Sequence, residues 1–156
     1  MSKPLKQIGK GMFSTAYKMS STKVLIRSID PCKEAMAHGW FPNTRLFPKV
    51  QFNGNNHGEY IMKYLKPVRS PKKDLNPKAY ELYLELKDFQ KAVHAGFGFI
   101  HALKYITNKT VRKHIQDAYQ TLRNYEGNVY FEISPRNINA TKSGNLILRD
   151  CFFLQP

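Results

Sequence analysis

The sequence predicts an α+β fold on three observations. Short apolar runs separated by turn residues fill the stretch from Lys6 to Leu65, the pattern of small antiparallel strands. Two longer segments follow in which apolar residues recur at three- and four-residue intervals, as amphipathic helices require. A last pair of apolar runs, Ile138-Asn139-Ala140 and Leu146-Ile147-Leu148, is joined by Lys142-Ser143-Gly144-Asn145. Gly beside Asn between apolar runs is a hairpin signal, because both tolerate the positive φ of a tight turn.

Taken in order, Lys6 to Lys18 reads as a hairpin, with Gly9 and Gly11 near its turn and Ala16 and Tyr17 resuming the strand. Lys23 to Arg27 is a short strand with an apolar, partly β-branched centre. Asp30 and Pro31 open a helix as N-cap and first helical residue. Gly39, Pro42 and Pro48 end it and lead into Lys49-Val50-Gln51-Phe52. Asn53-Gly54-Asn55-Asn56 is a turn, and Glu59 to Leu65 is the returning strand. Pro67, Pro71 and Pro77 then interleave with Lys63, Lys66, Arg69, Lys72, Lys73 and Lys78, opposed only by Asp74, in a loop-like basic segment. Ala79, Leu82, Tyr83, Leu86, Phe89, Ala92 and Val93 make the apolar face of one helix. Val111, Ile115, Ala118, Tyr119, Leu122 and Tyr125 make that of a second, and these stripes are core packing rather than a base-stacking platform. Gly96-Phe97-Gly98-Phe99 bends or splits the first helix, and Gly127-Asn128 turns the second into the strand Val129-Tyr130-Phe131, which delivers Glu132.

With 156 residues the chain predicts one domain able to bury a core, and 42% hydrophobic with 13% aromatic residues excludes a disordered chain. Cys32 and Cys151 form neither a metal spacing nor a disulfide framework, which predicts a reducing, cytoplasmic setting. The start Met1-Ser2-Lys3-Pro4-Leu5-Lys6 carries no apolar signal region, and the apolar stretch around Gly96 to Leu103 is too short for a bilayer, so no membrane is expected. No two of the five histidines stand at a metal-ligand spacing. The net charge of +14 attracts polyanions or an acidic protein surface. For the Lys63–Lys78 segment a solvated linker, a nucleic-acid contact and a contact with an acidic protein face all stand, since basicity alone does not separate them.

Three polar residues carry the chemistry: Glu132, Asn137 and Asp150. The predicted hairpin folds the amide of Asn137 towards the acid of Asp150, a pairing suited to holding a metal on phosphate oxygens. Here the sequence resembles the eukaryotic-type protein kinases, whose catalytic loop H-R-D-x-x-x-x-N is followed by a strand pair and D-F-G. The same frame reads Phe131 to Asn137 and then Asp150-Cys151-Phe152. Gly9, Gly11, Phe13 and Ser14 look like the glycine-rich loop of that family, with Ser14 in place of its third glycine. The small Ser/Thr kinases that tailed phages make early in infection are similarly compact.

The resemblance implies a minimal bilobal kinase-like fold, with residues 1–66 as an N-lobe of antiparallel sheet and one helix and 67–156 as a reduced, mainly helical C-lobe. It implies ATP and Mg²⁺ as cofactors, Asn137 and Asp150 as metal ligands, and Gly9, Gly11, Phe13 and Ser14 over the phosphates. Glu59 to Leu65 would run into the hinge that holds the adenine. Arg27 takes the place of the strand lysine that pairs with phosphates, or is a solvent-facing cation; Glu34 pairs with it, or is a plain helix-dipole residue. Glu132 stands where the family has the proton-accepting Asp, or is a structural acid paired with Arg136 or Arg149. The sequence runs six residues past Asp150, so no activation segment is expected within it. Two functions follow, with a small-molecule phosphotransferase of the antibiotic-kinase type, which shares the fold, as a weaker third. One is phosphoryl transfer to Ser/Thr of host proteins during phage takeover. The other is a pseudokinase whose basic surface inhibits a host machine such as RNA polymerase or the ribosome.

Overall fold

Three antiparallel strands begin the fold: β1 (Lys6–Lys10), β2 (Ser14–Lys18) and β3 (Lys23–Ser28). The computed structural model describes residues 4–155, so Met1 to Lys3, which open the expected signal-free terminus, lie outside the described residues. Helix α1 (Pro31–Ala37) follows β3, and β4 (Val50–Phe52) and β5 (Glu59–Lys63) complete a five-stranded antiparallel sheet of order β1-β2-β3-β5-β4. The expected N-cap forms, with the Asp30 carboxylate accepting from the Cys32 N–H at 3.0 Å and Pro31 in the first turn.

The basic segment is built rather than loose. Its strand β6 (Lys66–Pro67) pairs with a later strand, and its one-turn helix α2 (Pro71–Asp74) is flanked by buried Val68 and Leu75. Helices α3 (Pro77–His94), α4 (Phe99–Ala102) and α5 (Lys109–Leu122) form the second part. The Gly96–Phe99 stretch ends α3, and Gly96, at φ 100°, makes the turn that a side chain would resist. Buried Ala79, Tyr83, Leu86, Phe89 and Ala92 lie on the expected face of α3, and Ile115, Ala118 and Leu122 on that of α5; Tyr125 falls beyond the helix end.

After α5 come β7 (Asn128–Phe131), the hairpin β8 (Ile138–Ala140) and β9 (Leu146–Leu148), and β10 (Phe152–Gln155). β8 pairs with β6 on one side and β9 on the other, while β10 pairs with β7. The fold is thus α+β, a sheet with one helix followed by a mainly helical part. Lys66 is the end of the expected N-lobe, yet it pairs with Ala140 of the second part. One hydrophobic cluster runs from Val24 of the sheet to Leu154 of β10, so the two parts share a core. Phe89, Phe131 and Phe152 stack edge to face at 5.1 Å centroid spacings at its centre. Among the described residues no helix is long and apolar enough to cross a membrane.

A candidate anion-binding cleft built on a buried lysine

Asp150 lies between the sheet with its helix and the helical part. Ile138 pairs with Leu148 in the β8–β9 hairpin, which brings Asn137 beside Asp150. The Asp150 N–H donates to the Asn137 carbonyl at 3.0 Å, and the Glu132 N–H donates to the Cys151 carbonyl at 2.8 Å. The Asn137 amide donates to the Glu132 carbonyl at 3.2 Å. Glu132, Asn137 and Asp150 are therefore assembled through their backbones, though the Glu132 side chain is exposed.

The group that dominates this site is Lys33, which the sequence reading passed over. It lies on α1 among Cys32, Ala35 and Met36, and only 1% of its side chain is exposed. Its ammonium donates to the Arg149 carbonyl at 2.8 Å and makes a short ion pair with Asp150 Oδ1. Arg149 takes the other oxygen, its Nε standing 2.7 Å from Asp150 Oδ2. Burial pushes the Asp150 carboxyl up, but the two cations outweigh it and hold the group at about 2. At neutral pH the triad is one carboxylate between two cations.

Arg149 is itself fixed, donating from Nη1 to Asn139 Oδ1 at 2.8 Å and from Nη2 to the Arg136 carbonyl. Asn139 is 3% exposed and donates to the carbonyls of Leu65 and Lys66 at 3.3 and 3.0 Å. Leu65 ends the stretch expected to run into the adenine-holding hinge, and Lys66 is the residue that follows it. Asp30, capping the helix that carries Lys33, is pushed up by burial, with the Cys32 N–H and the Lys33 charge opposing.

On the sheet side, Ser14 Oγ donates to Ser28 Oγ at 2.7 Å, and Ser28 Oγ accepts from the Asp30 N–H at 3.0 Å. The Ile29 N–H donates to the Phe13 carbonyl at 3.1 Å, and the Phe13 ring lies 6.2 Å from that of Phe153 in β10. The loop between β1 and β2 thus touches the far end of the chain. Neither Gly9 nor Gly11 has a positive φ, and a Cβ there would meet only ordinary contacts at 3.8 and 3.9 Å. The fold itself does not demand glycine at either position.

Arg27 and Glu34 do not meet. Strand register sets Arg27 opposite Glu59, with Nε 3.8 Å from Glu59 Oε2, and its guanidinium lies over Tyr17. Glu34 pairs one helical turn on with His38 at 3.6 Å. Arg27 follows buried Ile26, so alternation along β3 turns it to solvent, with 60% of its side chain exposed. The buried cation at Asp150 comes from α1 and the second is its neighbour Arg149; neither comes from β3. The sequence did carry a signal for it: Lys33 sits at the edge of the helical arc whose other members are Cys32, Ala35 and Met36.

Mg²⁺ takes oxygen ligands, here the Asn137 amide and the Asp150 carboxylate. Both carboxylate oxygens already carry a cation, and among the described residues no group of three His, Cys, Asp or Glu stands together to hold a metal. A divalent ion does not fit this arrangement, because it would add its charge beside two cations that, among the described residues, make no other ion pair. Cys32 and Cys151 are buried, and burial pushes both thiols far above their ordinary range.

No family model and no curated protein matches this chain. Among solved structures, the GDP complex of a point mutant of an aminoglycoside 2′-phosphotransferase is similar over 97% of this chain and 68% of its own, at 11% identity and a TM-score of 0.42.

Proposed function

We propose that this chain is a kinase-like nucleotide-binding protein that acts by binding rather than by turnover. The carrying observation is the Lys33–Asp150–Arg149 triad: the acid on which the kinase frame would place its metal is already neutralised from both sides. In the kinase frame Gly9, Gly11, Phe13 and Ser14 would cover the phosphates, while the backbone bonds around Asp150 hold Asn137 and Glu132 beside it. Phosphates would meet Arg149 and the loop backbone there. Glu132 faces solvent, and its extra methylene displaces the carboxylate from where a shorter Asp would hold it, an offset of about an ångström that can cost on the order of a hundredfold in rate.

The binding surface in this reading is the ordered basic face. Lys63, Lys66, Arg69, Lys72, Lys73 and Lys78 are all exposed. Asp74, the one acid among them, accepts from the Arg69 and Ser70 N–H groups at 2.8 and 3.0 Å, which hold its carboxyl below the ordinary range. The partner class is an acidic or nucleic-acid-bearing host machine, RNA polymerase and the ribosome among them. A second reading, a phage-type Ser/Thr kinase acting on host proteins in the cytoplasm, draws on the close Asn137–Asp150 frame.

Transfer of labelled γ-phosphate from ATP in a bacterial lysate separates the two. The binding reading expects no label above that of Glu132→Ala. Label that is present with the natural chain and lost in Glu132→Ala would establish the kinase. Charge reversal at Lys66, Arg69, Lys72 and Lys73 should abolish partner binding in the first case only.

A further inference from the structure

We propose that the cleft takes the phosphates of its nucleotide free of metal, attracted by the net positive charge of the Lys33–Asp150–Arg149 triad. The inference rests on the nucleotide reading above and concerns the charge state in which the ligand arrives. Two cations and one carboxylate leave the triad with an excess of positive charge. A metal-free triphosphate is more negative than its Mg²⁺ complex, so the triad favours the free form.

Lys33 makes this more than a matter of sign. In an open site a lysine paired with the metal-binding acid can swing to a phosphate when the metal arrives. Lys33 has nowhere to go: its side chain is 1% exposed, and its ammonium is also tied to the Arg149 carbonyl. A metal on Asp150 would compete with that ammonium for its ion-pair partner and leave its charge opposed by the Asp30 carboxyl, which burial pushes up towards its neutral form, a costly outcome for an interior ion. Arg149 can reach a ligand. It is partly exposed, and of the five donors of a guanidinium its three recorded bonds go to Asp150, Asn139 and the Arg136 carbonyl. One hydrogen on each of Nη1 and Nη2 remains to serve a phosphate oxygen, and such charge-assisted bonds are stronger than neutral ones.

The test is calorimetric titration of ATP into the full chain, once in EDTA and once in excess Mg²⁺ at matched ionic strength. Binding in EDTA as tight as, or tighter than, binding in Mg²⁺ supports the proposal. Affinity that falls about tenfold or more on chelation overturns it. No heat in either buffer removes the nucleotide reading and this inference with it. Arg149→Gln should weaken binding in EDTA by about tenfold, with Arg149→Lys intermediate, provided their melting curves stay cooperative. Mn²⁺ alone, followed by its electron paramagnetic resonance signal, should stay free in millimolar protein. A bound Mn²⁺ signal that disappears in Asn137→Ala would overturn the proposal without reference to any nucleotide.

Discussion

Removing one member of the Lys33–Asp150 pair is not equivalent to removing the other, because only Lys33 is sealed from water. Asp150→Asn leaves an ammonium inside the protein with only neutral oxygens bonded to it, the Arg149 carbonyl and the side-chain amide oxygen, and stranding a buried charge costs about 3–5 kcal/mol. Lys33→Met leaves Asp150 paired with Arg149 and partly solvated, so it should cost less. Adding Lys33→Met to Asp150→Asn should restore part of the loss, a coupling that a double-mutant cycle in urea measures. Equal costs for the two single variants would show that Lys33 is not the trapped partner. The same chemistry makes Asp150→Asn a poor inactive control, since lost activity would be confounded with lost fold. Acid adds a second check. The Asp150 carboxyl is held at about 2, below its ordinary value, so its contribution is complete above the ordinary carboxylate range and is lost as pH falls through about 2. The stability gap between the natural chain and Asp150→Asn should therefore be constant at pH 5 to 7 and close between about pH 4 and 2. A gap that closes near neutrality would mean that another group governs it.

Elements meet at one joint that a single atom can spoil. Asn76 caps α3 by accepting from the Ala79 N–H at 2.8 Å, and its amide donates to Asn145 Oδ1 at 2.9 Å in the β8–β9 turn. Its N–H donates to the Gly144 carbonyl at 3.0 Å. Gly144 sits at φ +84°, and a Cβ there would stand 2.7 Å from the Asn76 backbone nitrogen. Gly144→Ala therefore combines left-handed strain with a backbone clash, and should cost at least about 2 kcal/mol in urea unfolding. Gly54→Ala, also at positive φ but with open space around it, should cost about 1. If the two cost the same, the joint is not the reason for Gly144. Such turns were legible in the sequence because Gly, Asn and Pro act through their own backbone, and the hairpins and the Asp30 cap fall where those residues put them. The role of Lys33 was only faintly legible, in its place at the edge of the apolar arc of α1, because its partner is far along the chain and a lysine on a helix is usually solvated. Arg27 misled for the related reason that Glu34 is near in sequence, whereas cross-strand register brings Glu59. Strand β10 was hidden because Phe152 and Phe153 read as the tail of a motif, and only the closure of β7 shows them as a strand.

The molecule as a whole carries a net charge of +14, and its sheet sets like charges face to face: Lys6 lies opposite Lys18, and Lys23 opposite Lys63. Like charges directly across a strand pair are destabilising, and neighbouring strands are only about 4.8 Å apart. At physiological ionic strength the screening length is about 8 Å, so this repulsion is only partly damped. Added salt should therefore stabilise the fold. Raising NaCl from about 20 to about 500 mM should lift the melting temperature by several degrees, at roughly 2–4 °C per kcal/mol for a chain of this length. The interior triad responds little over that range, because its carboxylate and buried ammonium are in contact. Lys23→Glu offers the specific check. It places an acid across from Lys63, so it should raise the melting temperature at low salt and flatten its dependence on salt. Were the natural chain instead to melt lower as salt rises, surface repulsion would not be what limits its stability. The opposed lysines would then have acid partners in the folded chain, and the basic face offered to a polyanion would be smaller than its sequence charge implies.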